Sequence, residues 1–202
     1  MEEYKGVKFN YQFTAHTYPY DQRLQQINHW AFLFAQLGLT PLHSSGAYGN
    51  FSYRTGERSF IITKSGMFAD KKLITGNYSH VKQYKETGKI FFIEGESPPS
   101  SEAILHNALY QNFSKINCIF HGHCQLFNCY AEKLNIPVTD NFYDYGTYEL
   151  AQSAIRLMDS SVNFFILKNH GFVAVGEDIN STGNLTLDYL KRLINVLRIN
   201  LD

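Results

Sequence analysis

INCIFHGHC, Ile116 to Cys124, changes character halfway along. Its first five residues are an apolar run of the kind that forms a buried strand. Two histidines one residue apart follow. Along a strand, side chains at i and i+2 share a face, so His121 and His123 are expected to project together, with Gly122 leaving the opposite face open. Two imidazoles on one face are either a hydrogen-bonded pair at a strand end or the start of a metal site. The first reading asks nothing more of the chain. The second needs further ligands.

Six other histidines are present. His170 stands apart because it lies in KNHGF, 168–172, at the end of the apolar strand FFILK and just before a glycine at a sharp turn. A catalytic zinc ion commonly takes three protein ligands and keeps one open position, which His121, His123 and His170 would supply. A turn histidine without a partner is the alternative. A cupin also uses HxH but adds a glutamate a few residues later, and HGHCQLFNCY has none.

Working outward, the segment from Asp21 to Leu39 places Leu24, Ile27, Ala31, Phe34 and Leu37 at helical spacing, with Asp21 as cap and Gly38 as stop. Residues 50–55 and 59–63 read as two strands joined by a TGER turn, and 89–95 as a third. After the loop SPPSS comes a helix capped by Ser100 or Ser101, with Ile104, Leu105, Ala108 and Leu109 as its buried stripe. The segment 124–134 reads as helical, a helix opens at Thr147, residues 162–176 form strand, tight turn and strand, and 184–201 form a long amphipathic helix. Strands and helices mix without strict βαβ alternation, which predicts a layered α/β fold with a mixed or largely antiparallel sheet.

The chain has 202 residues, 44% of them hydrophobic and 15% aromatic, enough for one domain, 1–202, with a sizeable core. Its 14 tyrosines and 16 phenylalanines are expected in the core and in subunit contacts. Eighteen basic residues balance eighteen acidic ones, so charge offers no reason to expect nucleic acid or an anionic membrane. No uncharged run reaches the length of a membrane span, and MEEYKGVKFN has no apolar signal core. Three cysteines at spacings of six and five form neither a disulfide framework nor a CxxC pair. A reduced, cytoplasmic protein is expected.

Three short stretches could hold an anion. Glu102 follows Ser100 and Ser101 at a helix start, where hydroxyls and unpaired amides collect. TKSG, Thr63 to Gly66, follows a strand, and Asn50 sits in GNFS within a loop. Each is also ordinary turn chemistry, and a glutamate in a first turn is usually solvated and favoured by the helix dipole.

Taken in order, GNFSYR, ITKSG, PSSEAILHNALY, HGH, YGTYELA and KNHGFVAVG resemble the class II aldolase/adducin family over about Asn50 to Gly176. The resemblance implies a three-layer αβα sandwich around a mixed, mostly antiparallel sheet. It implies a homotetramer with active sites between subunits, and zinc, or another divalent transition metal, on His121, His123 and His170. Glu102 then contacts the metal at rest and serves as acid and base. Asn50, Ser65, Gly66, Ser100 and Ser101 contact phosphate and substrate head. The activity implied is cleavage of a small ketose phosphate to dihydroxyacetone phosphate and an aldehyde, a reverse aldol through a zinc-held enediolate. Sister reactions are epimerisation and dehydration, and adducin-like members are interaction domains. PSSE rather than PSSD at Glu102 leans toward aldol cleavage. One departure stands out. Where the aldolases carry a tyrosine four residues before the glycine of GT.EL, this chain has Phe142, with Tyr143 and Tyr145 nearby.

Overall fold

A computed structural model describes residues 6–17, 21–159 and 161–199. Eight strands form the main sheet: β1 (Asn10–Ala15), β4 (Gly49–Gly56), β5 (Ser59–Thr63), β6 (Tyr78–Lys85), β7 (Ile90–Glu94), β8 (Cys118–Gly122), β9 (Phe164–Ile166) and β10 (Phe172–Gly176). Their order is β1-β7-β6-β5-β4-β8-β10-β9, antiparallel throughout except for β1 beside β7. A two-stranded ribbon, β2 (Leu42–His43) with β3 (Gly46–Ala47), stands apart. The helices are α1 (Arg23–Gln36), α2 (Ala103–Asn112), α3 (Gln125–Tyr130), α4 (Tyr148–Leu157) and α5 (Ile179–Ile199).

Alternation along the strands divides the core in two. Cys118 and Phe120 of β8 face one way, with Phe34 of α1, Phe127 of α3, Phe172 of β10 and Leu193 of α5. Ile119 faces the other, with Val173 of β10, Leu105 and Leu109 of α2, and Leu150 and Ala154 of α4. The sheet therefore lies between α1, α3 and α5 on one side and α2 and α4 on the other, the expected three layers. Much of the aromatic surplus is core: Phe34 meets Phe51, Phe120, Phe172 and Trp30 at 5.3–6.3 Å between ring centroids. Fully burying one such ring contributes roughly 1.5–3 kcal/mol.

Local signals hold where the chain itself makes the bond. Asp21 Oδ1 accepts the Arg23 amide at 2.8 Å ahead of α1, although the cap position itself falls on Gln22, whose side chain makes no capping bond. At its other end Gly38 has φ +69°, and the Leu39 amide reaches Phe34 O at 2.9 Å while Gly38 reaches Ala35 O at 3.2 Å. That pair of bonds is the glycine-terminated helix end in which only a residue at ease with positive φ fits. Thr147 Oγ1 accepts the Leu150 amide and caps α4.

Other expectations shift. No serine side chain caps α2, whose preceding residue is Glu102. α3 closes at Tyr130, and turns occupy 131–135. α5 begins five residues earlier than expected, and residues 200 and 201 of the expected helix lie outside the described residues. β1 and β6 were not anticipated. Both are half-covered strands with polar residues on the outer face.

Candidate metal centre

The strand alternation that puts Phe120 on the α1 side puts His121 on the α2 side, toward the start of α2 and Glu102. His121 is fully buried. Its Nδ1 lies 2.8 Å from Phe172 O, and a carbonyl only accepts, so Nδ1 carries a proton and in the neutral ring Nε2 presents a lone pair. That lone pair faces Glu102 Oε2 at 3.0 Å and His123 Nε2 at 3.0 Å. His123 lies just past the end of β8, yet the two rings still converge.

His170 arrives from the β9–β10 turn. The Leu167 amide reaches Gly171 O at 2.8 Å, the His170 amide reaches Leu167 O at 2.9 Å, and Asn169 takes φ +56°. His170 Nε2 stands 3.2 Å from Glu102 Oε1. The turn must pass very close to the first two histidines: a Cβ on Gly171 would lie 2.4 Å from Gly122 O and 2.8 Å from the His121 ring. Gly122 does not leave an open face. A Cβ there would meet Leu39 O at 2.5 Å and the Phe172 ring at 2.6 Å, because the end of α1 and the neighbouring strand pack against that side.

Glu102, His121, His123 and His170 each offer one ligand atom, and those atoms all lie within 4.8 Å of one another. Burial opposes ionisation of Glu102, but with no metal bound the protonated forms of His121 and His170 against its two oxygens outweigh it and hold the carboxyl well below the usual range. Burial, then the like charges of His121 and His170, push the His123 pKa well below that of an ordinary histidine, so His123 is a neutral donor at pH 7. Lone pairs of imidazole and carboxylate thus point at one small volume that a cation would satisfy. This donor set fits a divalent metal, and nitrogen with carboxylate oxygen suits zinc among others.

Asn50 lies within β4, opposite His121 in register, rather than in a loop. It is buried, and its Nδ2 donates to Glu102 Oε2 at 2.8 Å. This restraint on the carboxylate was invisible in the sequence, because it depends on the β4–β8 pairing.

A cavity of about 350 Å³ opens beside the cluster, lined by Glu102, His123 and His170. Asn50, Ser65, Gly66, Ser100 and Ser101 also line it, so the three stretches singled out as anion sites meet in one place. Their backbone is partly spent: the Ser65 amide bonds Pro98 O and the Ser100 amide bonds Thr63 O, each at 3.0 Å. Ser65, Ser100 and Ser101 bring hydroxyls, which can donate to an anion, to the cavity lining. Phe142 is 45% exposed at the cavity wall and Tyr145 lines it at 8%, whereas Tyr143 packs into the α2/α4 side of the core. Lys64 and Tyr48 also line the cavity, Tyr48 with its ring 5.2 Å from that of His123. Lys64 belongs to the TKSG stretch, whereas nothing local in the sequence marks Tyr48.

Residues 25–193 match the family described as Class II Aldolase and Adducin N-terminal domain. The chain belongs to this family. It is 32% identical over 95 residues to an L-fuculose phosphate aldolase of Methanococcus maripaludis, covering 40% of this chain and 51% of that one. It is 36% identical over 115 residues to a methylthioribulose-1-phosphate dehydratase of Xylella fastidiosa, covering 52% and 46%. In both cases the chain spans about half the length of the relative it matches. A solved L-fuculose 1-phosphate aldolase superposes with a TM-score of 0.70 over 92% of this chain and 90% of its own, at 22% identity, a likeness of fold. Within the family, then, this chain has relatives named for carbon–carbon cleavage and for dehydration. No helix among the described residues is long and apolar enough to cross a membrane.

Proposed function

We propose that this protein is a metal-dependent lyase acting on a small ketose phosphate, by aldol cleavage to dihydroxyacetone phosphate and an aldehyde. The observation that carries this reading is the convergence of Glu102 with three imidazoles at one end of a cavity lined by serine hydroxyls. His121, His123 and His170 hold a divalent cation, zinc being the first candidate. When bound, such a cation supplies Lewis-acid stabilisation of negative charge developing on substrate oxygens, typically several kcal/mol.

The chain's own residues do the rest. Ser65, Ser100 and Ser101, with the Gly66 amide, hold the phosphate and fix the position of the carbon skeleton. Glu102 is ionised at rest and restrained by Asn50, and it takes and returns the proton that bond cleavage requires. The electron pair of the breaking C3–C4 bond moves toward the ketose carbonyl.

Dehydration is the second reading, favoured by the 36% identity to the Xylella relative. Both reactions need charge stabilised beside a carbonyl and one group that moves a proton. A non-enzymatic interaction role has less support, since all four candidate ligands are present. We also propose a homotetramer with sites between subunits, which sedimentation equilibrium tests directly.

The deciding experiment is NMR of metal-loaded protein with a panel containing L-fuculose 1-phosphate and methylthioribulose 1-phosphate. Dihydroxyacetone phosphate with an aldehyde is the expected outcome. A dehydrated or epimerised product would replace aldol cleavage with that reaction. No turnover of any panel member would overturn the proposed substrate class.

A further inference from the structure

Residues 6–15 lie ahead of the family-matched region, which begins at residue 25. They are nonetheless tied to the molecule and to the cavity. β1 pairs with β7 from Asn10↔Ile90 to Phe13↔Ile93. The Phe9 ring lies 4.6 Å from that of Phe91, and Thr14 Oγ1 donates to Ile93 O at 3.1 Å. Phe9 and Phe13 pack on the α2/α4 side of the core. β1 is therefore a firm anchor, and Gly6 to Lys8, just ahead of Phe9, lie against residues of the cavity wall.

There they meet three cavity residues. The Lys8 amide donates to Ser101 Oγ at 3.2 Å. The Lys8 ammonium sits 3.6 Å over the centre of the Tyr145 ring and 3.9 Å from the Asp144 carboxylate. The Tyr145 hydroxyl makes a long bond, 3.4 Å, to Gly6 O. Ser101, Asp144 and Tyr145 all line the cavity. Residues 141–147 have no helix or strand of their own, so their placement depends on what they lean against. On one side that is Ser101, against which a Cβ on Gly146 would close to 2.5 Å. On the other it is Lys8.

We propose that Gly6–Lys8 is a positioning segment of the site, with Lys8 as the residue that holds Tyr145 in the cavity wall. A cation over an aromatic face fixes the ring in place, and the Asp144 carboxylate keeps the ammonium there. The amide bond to Ser101 has a second effect. The Ser101 oxygen that accepts from the Lys8 amide keeps its own O–H to donate. The segment thus fixes a phenol ring and a serine hydroxyl in the wall of a cavity suited to an oxygen-rich anionic ligand, a role that rests on the sugar-phosphate reading above.

The test uses the full chain, metal-loaded, with 3-fluorotyrosine carried at position 145 and observed by 19F NMR. The unsubstituted sequence is expected to give one narrow resonance. Lys8→Met should broaden, split or move it, and Lys8→Arg should restore it. A Lys8→Met spectrum that superimposes on the original overturns the proposal. Metal content and melting temperature, measured alongside, separate a misplaced ring from a misfolded chain. Titration with inorganic phosphate, followed by calorimetry and 19F NMR together, separates this proposal from the one it rests on. Binding heat with a shift of the resonance supports Tyr145 at the ligand, and heat without a shift overturns that placement. No binding heat overturns the phosphate reading, while the contrast between Lys8→Met and Lys8→Arg still decides the role of Lys8.

Discussion

Glu102 is almost fully buried, and its two oxygens face different histidines while Asn50 holds one of them. An ionised carboxylate in such a place is stable only because positive charge or polarised donors surround it. Replacing it by glutamine keeps the shape and removes both the charge and the capacity to take a proton. Glu102→Gln is therefore expected to lower kcat by about 100-fold or more, the usual share of a positioned acid–base group, while elemental analysis still finds one metal per chain. Full activity in that variant would remove Glu102 from the mechanism. At this scale the sequence spoke unevenly. The i, i+2 spacing of His121 and His123 and the glycine after His170 were readable. The Asn50–Glu102 bond was not, since 52 residues separate the partners and only strand pairing brings them together.

α2 carries a second buried polar group one turn beyond Glu102. His106 Nδ1 lies 2.6 Å from Ser52 Oγ, which in turn lies 2.7 Å from Tyr110 OH. Burial lowers the His106 pKa to about 3. The unfolded chain, with an ordinary histidine near 6.5, binds this proton first as pH falls. Stability therefore drops with acidification from about 6.5 downward and is regained as pH rises. Urea unfolding of chelated protein at pH 7 and pH 5.5 should show about 1 kcal/mol more loss in the natural chain than in His106→Leu. Equal losses would mean that His106 is protonated in the fold. Element boundaries were readable where the cause was local, as at Gly38 and Thr147. β1 and β6 escaped because an edge strand and a half-covered strand both carry polar residues on one face, and their hydrophobic pattern is too thin to stand out.

For the whole molecule, a metal held at this cluster would be linked to the fold. An ion bound by the native cluster and not by the unfolded chain adds about 4 kcal/mol at a thousandfold excess over its dissociation constant. For a chain of this size that corresponds to roughly 10 °C in melting temperature. Chelation is expected to lower the midpoint by about that much in differential scanning calorimetry, within one transition if residues 1–202 form one domain. An unchanged midpoint would argue against a metal at this cluster. The sequence by itself determined the layered α/β class and the helix ends set by a local bond, at Gly38 and Thr147, and it singled out the histidines as candidates, because periodicity, capping and turn chemistry act over a few residues. The tertiary structure decided what those residues face. Pairing of β8 with β4 and β10 aims Asn50 and His121 at Glu102, the β9–β10 turn carries His170 to them, and an unanticipated parallel edge strand leads Lys8 to Tyr145. Such contacts join residues dozens of positions apart, and only packing selects them from the many that local rules allow.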